Sequence, residues 1–302
     1  MKTNITIVTA FIFSTAMYSQ QWTIPGPDIV AEKQKGDIML SYTDGTIITT
    51  VKGDTAYFSD DIQQIVIEEN GLKGFFNFQD EDWFVEPSYS KFNVEIPGYL
   101  LKVKEKGKYM LVRIEDFKPV TKKYDSIYKI DSAEYETWEV LVFQKGDKKG
   151  LYLVFENYLI LPVKYNAIEI LGNENYIVRK GKRYGAGSCE GIEIEVKYDS
   201  IQHVFGTCVN NCWLVRKNGK YGINYEVQWH YPLEFDNITF AGRPMPYGYM
   251  ILEKDGKYDV VDDSFKTYEP RFDKVWMAKF EDKVIIYMEQ DGETTKIEQK
   301  LR

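Results

Sequence analysis

A carboxylate recurs about once every 37 residues in this 302-residue chain, at Asp125, Asp199, Asp236 and Asp273, with Asn166 at the same place in a further copy. Each follows a Tyr or Phe and stands two residues before an Ile or Val. A row of carboxylates could in principle cleave a polymer, since a glycosidase places two of them on either side of the scissile bond. These recur once per unit, however, as a turn device would, and Asp side chains readily accept hydrogen bonds from nearby backbone N–H groups. The carboxylates are therefore read as caps. Outside the repeat register the nearest acidic candidate is Asp80-Glu-Asp82 beside Trp83, in a polar connection that reads as a solvated loop. No Gly-x-Ser-x-Gly elbow, phosphate-binding glycine loop or His-Glu-x-x-His occurs, and the chain is read as non-enzymatic.

The remaining groups with chemistry of their own are three cysteines and two histidines. Cys208-Val-Asn-Asn-Cys212 brackets a short turn, so a Cys208–Cys212 disulfide is expected if the chain is exported, with Cys189 free or competing. Closing so short a loop would contribute about 1 to 3 kcal/mol. His203 and His230 have no paired spacing with the cysteines, so neither a metal nor any other cofactor is expected.

The elements that carry these residues are read from a second phrase. Trp213-Leu-Val-Arg-Lys-Asn-Gly-Lys-Tyr-Gly-Ile-Asn224 is a β-hairpin in which Asn218-Gly219 forms a type I′ turn, because both central positions need positive φ. The phrase recurs as Asn70-Gly-Leu-Lys-Gly74, Lys106-Gly-Lys-Tyr109, Gly146-Asp-Lys-Lys-Gly150, Lys180-Gly-Lys-Arg-Tyr-Gly185 and Asp255-Gly-Lys-Tyr258. Gly71, Gly107, Gly181, Gly219 and Gly256 are accordingly the turn residues. Spacings between anchors are 36, 40, 35, 37 and 37 residues, and Asp291-Gly-Glu-Thr294 falls 36 past Tyr258 as a cut-off last copy. Between hairpins a segment such as Pro162-Val-Lys-Tyr-Asn-Ala-Ile168 begins with a residue that cannot donate to a ladder, which marks a strand start or edge. A bend at the Asp position would let both the Tyr and the Ile reach the core.

The two linked phrases resemble the bacterial WG-repeat family, whose units carry a Gly-Lys-Trp-Gly turn and then a Pro-x-x-Tyr-Asp-x-Ile segment. The resemblance covers roughly residue 62 to the C terminus, in diverged copies: the aromatic is Tyr and never Trp, Lys73 and Lys149 replace it altogether, and Met110 and Asp259 stand where the second Gly belongs. It implies an extracytoplasmic or surface repeat protein without a common chemistry. The expected fold is all-β: a tandem array of about six antiparallel β-hairpin units of about 37 residues, open and curved like a solenoid, with a closed β-propeller as the alternative. Three strands per unit are legible, fewer than a propeller blade holds, which favours the open form. Residues 20–61, with a hairpin at Asp44-Gly45, are read as an N-terminal cap or degenerate repeat preceding the array at 62–302.

Aromatic residues make up 15% of the chain, which suits half-buried strand faces. A net charge of −8 would repel a phosphate backbone, so nucleic acid is excluded as a partner. Residues 1–19 place Lys2 before an uncharged apolar run too short to span a bilayer comfortably, the pattern of a signal peptide. The chain is expected to be exported in a Gram-negative bacterium, to the periplasm, the cell surface or the medium, and not to span the membrane once the leader is removed. Residues that escape the repeat are where binding would concentrate, since Trp and Arg dominate interface energies. Those candidates are Trp229, His230, Arg243, Trp276 and Tyr128, facing a protein or glycan of the envelope. A hydrolase acting on an envelope polysaccharide or peptide is the alternative.

Overall fold

The structure is a computed structural model that describes residues 20–24, 28–96, 99–129, 140–154, 156–171, 174–206, 210–242, 245, 247–262 and 268–301. Eight antiparallel sheets of three or four strands follow one another over residues 20–52, 55–89, 91–113, 126–165, 167–198, 200–235, 237–261 and 274–300. No helix occurs among the described residues. The protein is thus an all-β tandem array. It divides into two compact units, Met1–Tyr128 and Lys129–Arg302. The first contains sheets one to three and the second sheets five to eight; the division falls in the first strand of the fourth sheet.

The sixth sheet shows how a unit is built. Its strands Ser200–Phe205, Cys212–Lys217, Lys220–Tyr225 and Gln228–Phe235 pair in sequence order as an up-and-down meander. The hairpin turn joins the second strand to the third. Asn218 and Gly219 both have positive φ, 53° and 86°, which is the type I′ requirement. Asn70-Gly71, Lys106-Gly107, Asp255-Gly256 and Asp291-Gly292 share that pattern. At Gly146 and Gly181 only the first central residue has positive φ, 60° and 63°, as a type II′ turn needs.

Second strands such as those of the fourth and sixth sheets are buried on both faces: Val140 to Phe143 and Cys212, Trp213, Leu214 and Val215 are all in the core. Shared apolar clusters bind the sheets in series within each unit. Ile38, Leu40, Ile65 and Phe76 join the first sheet to the second, whereas Ile223, Phe235, Met250 and Leu252 join the sixth to the seventh. Burying a side chain of this size contributes about 1.5 to 3 kcal/mol. Fourth strands bury residues four apart, Tyr231 and Phe235 in the sixth sheet, while Gln228, Trp229 and His230 are exposed.

One strand per unit had no separate signature in the sequence. Pro-x-x-Tyr closes one sheet as its fourth, edge strand; the chain bends at the Asp; and x-Ile opens the next sheet as its first strand. Tyr198 and Ile201 are both buried on either side of Asp199, so the bend brings both to the core. Residues 20–52 are likewise a full four-stranded sheet with its own turn at Lys35-Gly36, where the sequence shows only the two strands flanking Asp44-Gly45. The second sheet starts at Thr55, upstream of the first legible hairpin, and the eighth stops at three strands, consistent with a cut-off copy.

The second Gly of the turn phrase has a steric cause. Opposite it the edge strand carries an irregularity: Tyr221 pairs with Phe235 but Ile223 pairs with Tyr231, four residues away. The bulged backbone lies against the glycine, and a Cβ on Gly222 would sit 2.7 Å from the Tyr231 carbonyl oxygen. Gly74, Gly150 and Gly185 are pressed in the same way by Val85, Leu161 and Ile194. Met110 and Asp259 occupy this position in the third and seventh sheets, the two internal sheets with no fourth strand among the described residues. There, only isolated bridges such as Tyr109 to Tyr124 and Tyr258 to Phe272 follow the third strand.

Candidate functional site

The repeated carboxylates are engaged in a clasp of constant geometry. Asp199 Oδ2 accepts the Asn218 N–H at 2.6 Å, Asp236 Oδ2 the Asp255 N–H at 2.8 Å, and Asp273 Oδ2 the Asp291 N–H at 3.0 Å. Each acceptor lies at the entry to a sheet and caps that sheet's hairpin turn. The other oxygen reaches back to a cation beside the preceding sheet's turn, pairing Asp199 with Arg183, Asp236 with Lys220 and Asp273 with Lys257. Asp125 is paired with Lys108 in the same manner. The Lys220 ammonium, then the Asp255 N–H, hold the Asp236 carboxyl below its usual range; Lys257 and the Asp291 N–H do the same for Asp273. Asp54 caps the Asn70 N–H at 2.7 Å and lies 3.6 Å from Lys33.

Asn166 preserves the clasp with the partners exchanged. Its Oδ1 accepts the Gly181 N–H at 2.8 Å, and its Nδ2 donates to Asp147 Oδ2 at 2.9 Å. An amide offers a donor where a carboxylate offers an acceptor, so it meets the acid Asp147, which lies 3.0 Å from Lys148, the cation at the turn position of Lys220. In the seventh sheet Asp259, fully buried, replaces the bulge contact: it accepts the Glu269 N–H at 2.9 Å and the Arg271 guanidinium at 2.7 Å.

The cysteine pairing differs from expectation. Cys212 is a free thiol and Cys189 is disulfide-bonded, so no Cys208–Cys212 bridge forms. Cys212 opens the second strand of the sixth sheet with its side chain in the core among Ile223, Tyr231 and Met250, which turns it away from the loop that precedes it. Burial pushes its thiol up to about 12. Cys208 lies outside the described residues.

The proposed binding residues are distributed over separate sheets. Trp229 is 41% exposed on the edge strand of the sixth sheet, its ring 6.2 Å from Tyr198, with exposed His230 5.5 Å from Tyr225. Trp276, 36% exposed on the first strand of the eighth sheet, stacks on Tyr287 at 5.3 Å, with Lys274 Nζ 5.1 Å from its centroid. Beside it a groove of about 230 Å³ is lined by Asn237, Thr239, Glu253, Tyr258 and Met277. Tyr128 is half-buried on the first strand of the fourth sheet, and Arg243 lies outside the described residues. Among the described ones, only Trp229 and His230 share a sheet.

A buried polar cluster in the seam of the fifth and sixth sheets had no sequence signal. Glu193 accepts Trp213 Nε1 and Asn211 Nδ2, each at 3.1 Å, and Asn175 Nδ2 lies 3.4 Å from His203 Nε2. Burial pushes the His203 imidazole down, against its hydrogen bond to Asn211 and the Glu193 charge. Among the described residues no group of three or more His, Cys, Asp or Glu could hold a metal, and no helix is long and apolar enough to cross a membrane.

No protein-family model matches the chain, and no curated protein matches it in sequence. Among solved structures it is similar to a eukaryotic initiation factor, at 10% identity over 94% of this chain and 89% of that one, with a TM-score of 0.30. It is also similar to PorZ, an essential surface component of the type-IX secretion system of Porphyromonas gingivalis, at 8% identity over 91% and 44% and a TM-score of 0.25. Hsv2p of Kluyveromyces lactis matches at 6% identity over 94% and 97%, with a TM-score of 0.24. Superpositions this poor at such identities bear on neither activity nor partners.

Proposed function

We propose that the protein is an exported, non-enzymatic repeat protein, a diverged WG-repeat array, that binds a protein or glycan of the cell envelope through side chains outside the repeat register. The observation that carries this reading is the engagement of the recurring acids. Asp125, Asp199, Asp236 and Asp273 each hold a cation, and the last three also hold a turn N–H, so the row is committed to joining sheets. What varies from copy to copy at the solvent face includes Trp229 and Trp276, the residue types in which interface energy concentrates. Export rests on the leader pattern of residues 1–19, and a disulfide at Cys189 fits an oxidising compartment in the periplasm, at the surface or in the medium of a Gram-negative bacterium.

The test is crosslinking capture from the native envelope with the wild-type chain and the Trp229→Ala/Trp276→Ala double variant. Capture should be lost in the double variant while the thermal transition stays within about 2 °C, since neither ring is in a core cluster. Unaltered capture would reject the reading. Turnover of a glycoside or peptide panel that survives repurification would instead establish the hydrolase.

A further inference from the structure

An open pocket lies where the first strands of the sixth, seventh and eighth sheets approach one another. It measures about 500 Å³, within the range that holds a small molecule. Val204, Phe240, Ala241, Met245 and Leu301 supply an apolar lining, of which Ala241 and Met245 are buried. Its polar members are Gln202, His203 and Lys279, with Gln202 and Lys279 exposed at the rim. None of its described lining residues is Asp or Glu, although Asp and Glu outnumber Lys and Arg in the chain by 46 to 38. Lys279 makes no ion pair among the described residues. His203 Nε2 lies 3.4 Å from Asn175 in the seam, where burial pushes its imidazole down, and Lys279 is the lysine among the described lining residues.

We infer that this cavity binds a small amphiphile with an apolar body and a carboxylate head. The body would lie on Phe240, Leu301 and Val204, with the flexible Met245 thioether adapting to its shape. The head would pair with the Lys279 ammonium and accept from the Gln202 amide. A cationic amphiphile would meet Lys279 as a like charge. Gly242 follows the seventh sheet's first strand, and the Gln299 side chain lies against it, donating to the Tyr247 carbonyl at 2.5 Å. This ligand site is separate from the tryptophan surface proposed above.

Isothermal titration of the leaderless chain with octanoate and 4-phenylbutyrate, their primary amides and octylamine tests the inference. At least one acid should bind 1:1 and about tenfold or more tighter than its amide, and octylamine should not bind. Lys279→Met should reduce the acid to its amide's affinity without changing the amide, whereas Lys254→Met, a surface lysine paired with Glu234, should leave both unchanged. Absence of binding by both acids at millimolar concentration, equal affinity for acid and amide, or an unaffected Lys279→Met variant would each overturn it.

Discussion

Replacing Gly222 by Ala adds one methyl group at a position where the backbone conformation is ordinary and only space is lacking. The new Cβ would lie 2.7 Å from the Tyr231 carbonyl oxygen and 3.0 Å from the Pro232 carbonyl carbon, both main-chain atoms that cannot rotate aside. An unstrained carbon-to-oxygen contact is about 3.3 Å, so the edge strand must retreat by roughly 0.6 Å. Overpacking of this kind costs about 1 to 3 kcal/mol, and loosening the adjoining ladder bonds adds up to about 1 kcal/mol. The expected loss is therefore about 1 to 4 kcal/mol. Gly219→Ala in the same hairpin is the control: φ is +86° but nothing lies within 4 Å, so only left-handed strain of about 1 kcal/mol applies. Urea unfolding followed by Trp fluorescence compares them, with Trp213 reporting from the core of that sheet. If Gly222→Ala costs no more than Gly219→Ala, the bulge does not explain the second glycine.

Three further outcomes follow from the clasps and the core. Asn166→Asp should lower the thermal midpoint by setting a carboxylate against Asp147, and adding Asp147→Lys should restore it; a non-interacting pair would show additive effects in a double-mutant cycle. Asp236 and Asp273 have folded pKa values depressed below the ordinary 3.8, so the stability they contribute is present above that value and lost as pH falls through the folded pKa. The Asp236→Asn/Asp273→Asn double variant should therefore show a flatter dependence of thermal midpoint on pH between about pH 5 and pH 2; an unchanged slope would contradict the clasp. Non-reducing peptide mapping should find Cys189 disulfide-linked and Cys212 reduced, with Cys212 unreactive to a thiol reagent until the chain unfolds.

The turns were legible because their chemistry is local. Asn218-Gly219 announces its φ signs in two adjacent residues, and the Asp phrase announces a cap. The partner of each clasp was not legible, since Lys220 and Asp236 lie on consecutive sheets and only folding brings them together. The fourth strand was hidden for a different reason: a single phrase serves two sheets, broken at an Asp whose bend has no hydrophobic signature. Met110 and Asp259 looked like decay of the repeat, yet both mark sheets in which no edge strand presses on that position. The cysteine expectation failed because sequence proximity says nothing about direction, and Cys212 points into the core.

The division of labour between repeated and unrepeated residues is tested most directly by scoring stability and envelope-partner capture together on one set of variants. Gly185→Ala and Asp236→Ala should lower the thermal midpoint yet capture normally at temperatures where they remain folded. Trp229→Ala/Trp276→Ala should retain the midpoint and lose capture. If capture instead falls in proportion to stability across both groups, or survives loss of both tryptophans, the assignment of binding to the unrepeated aromatic side chains is wrong.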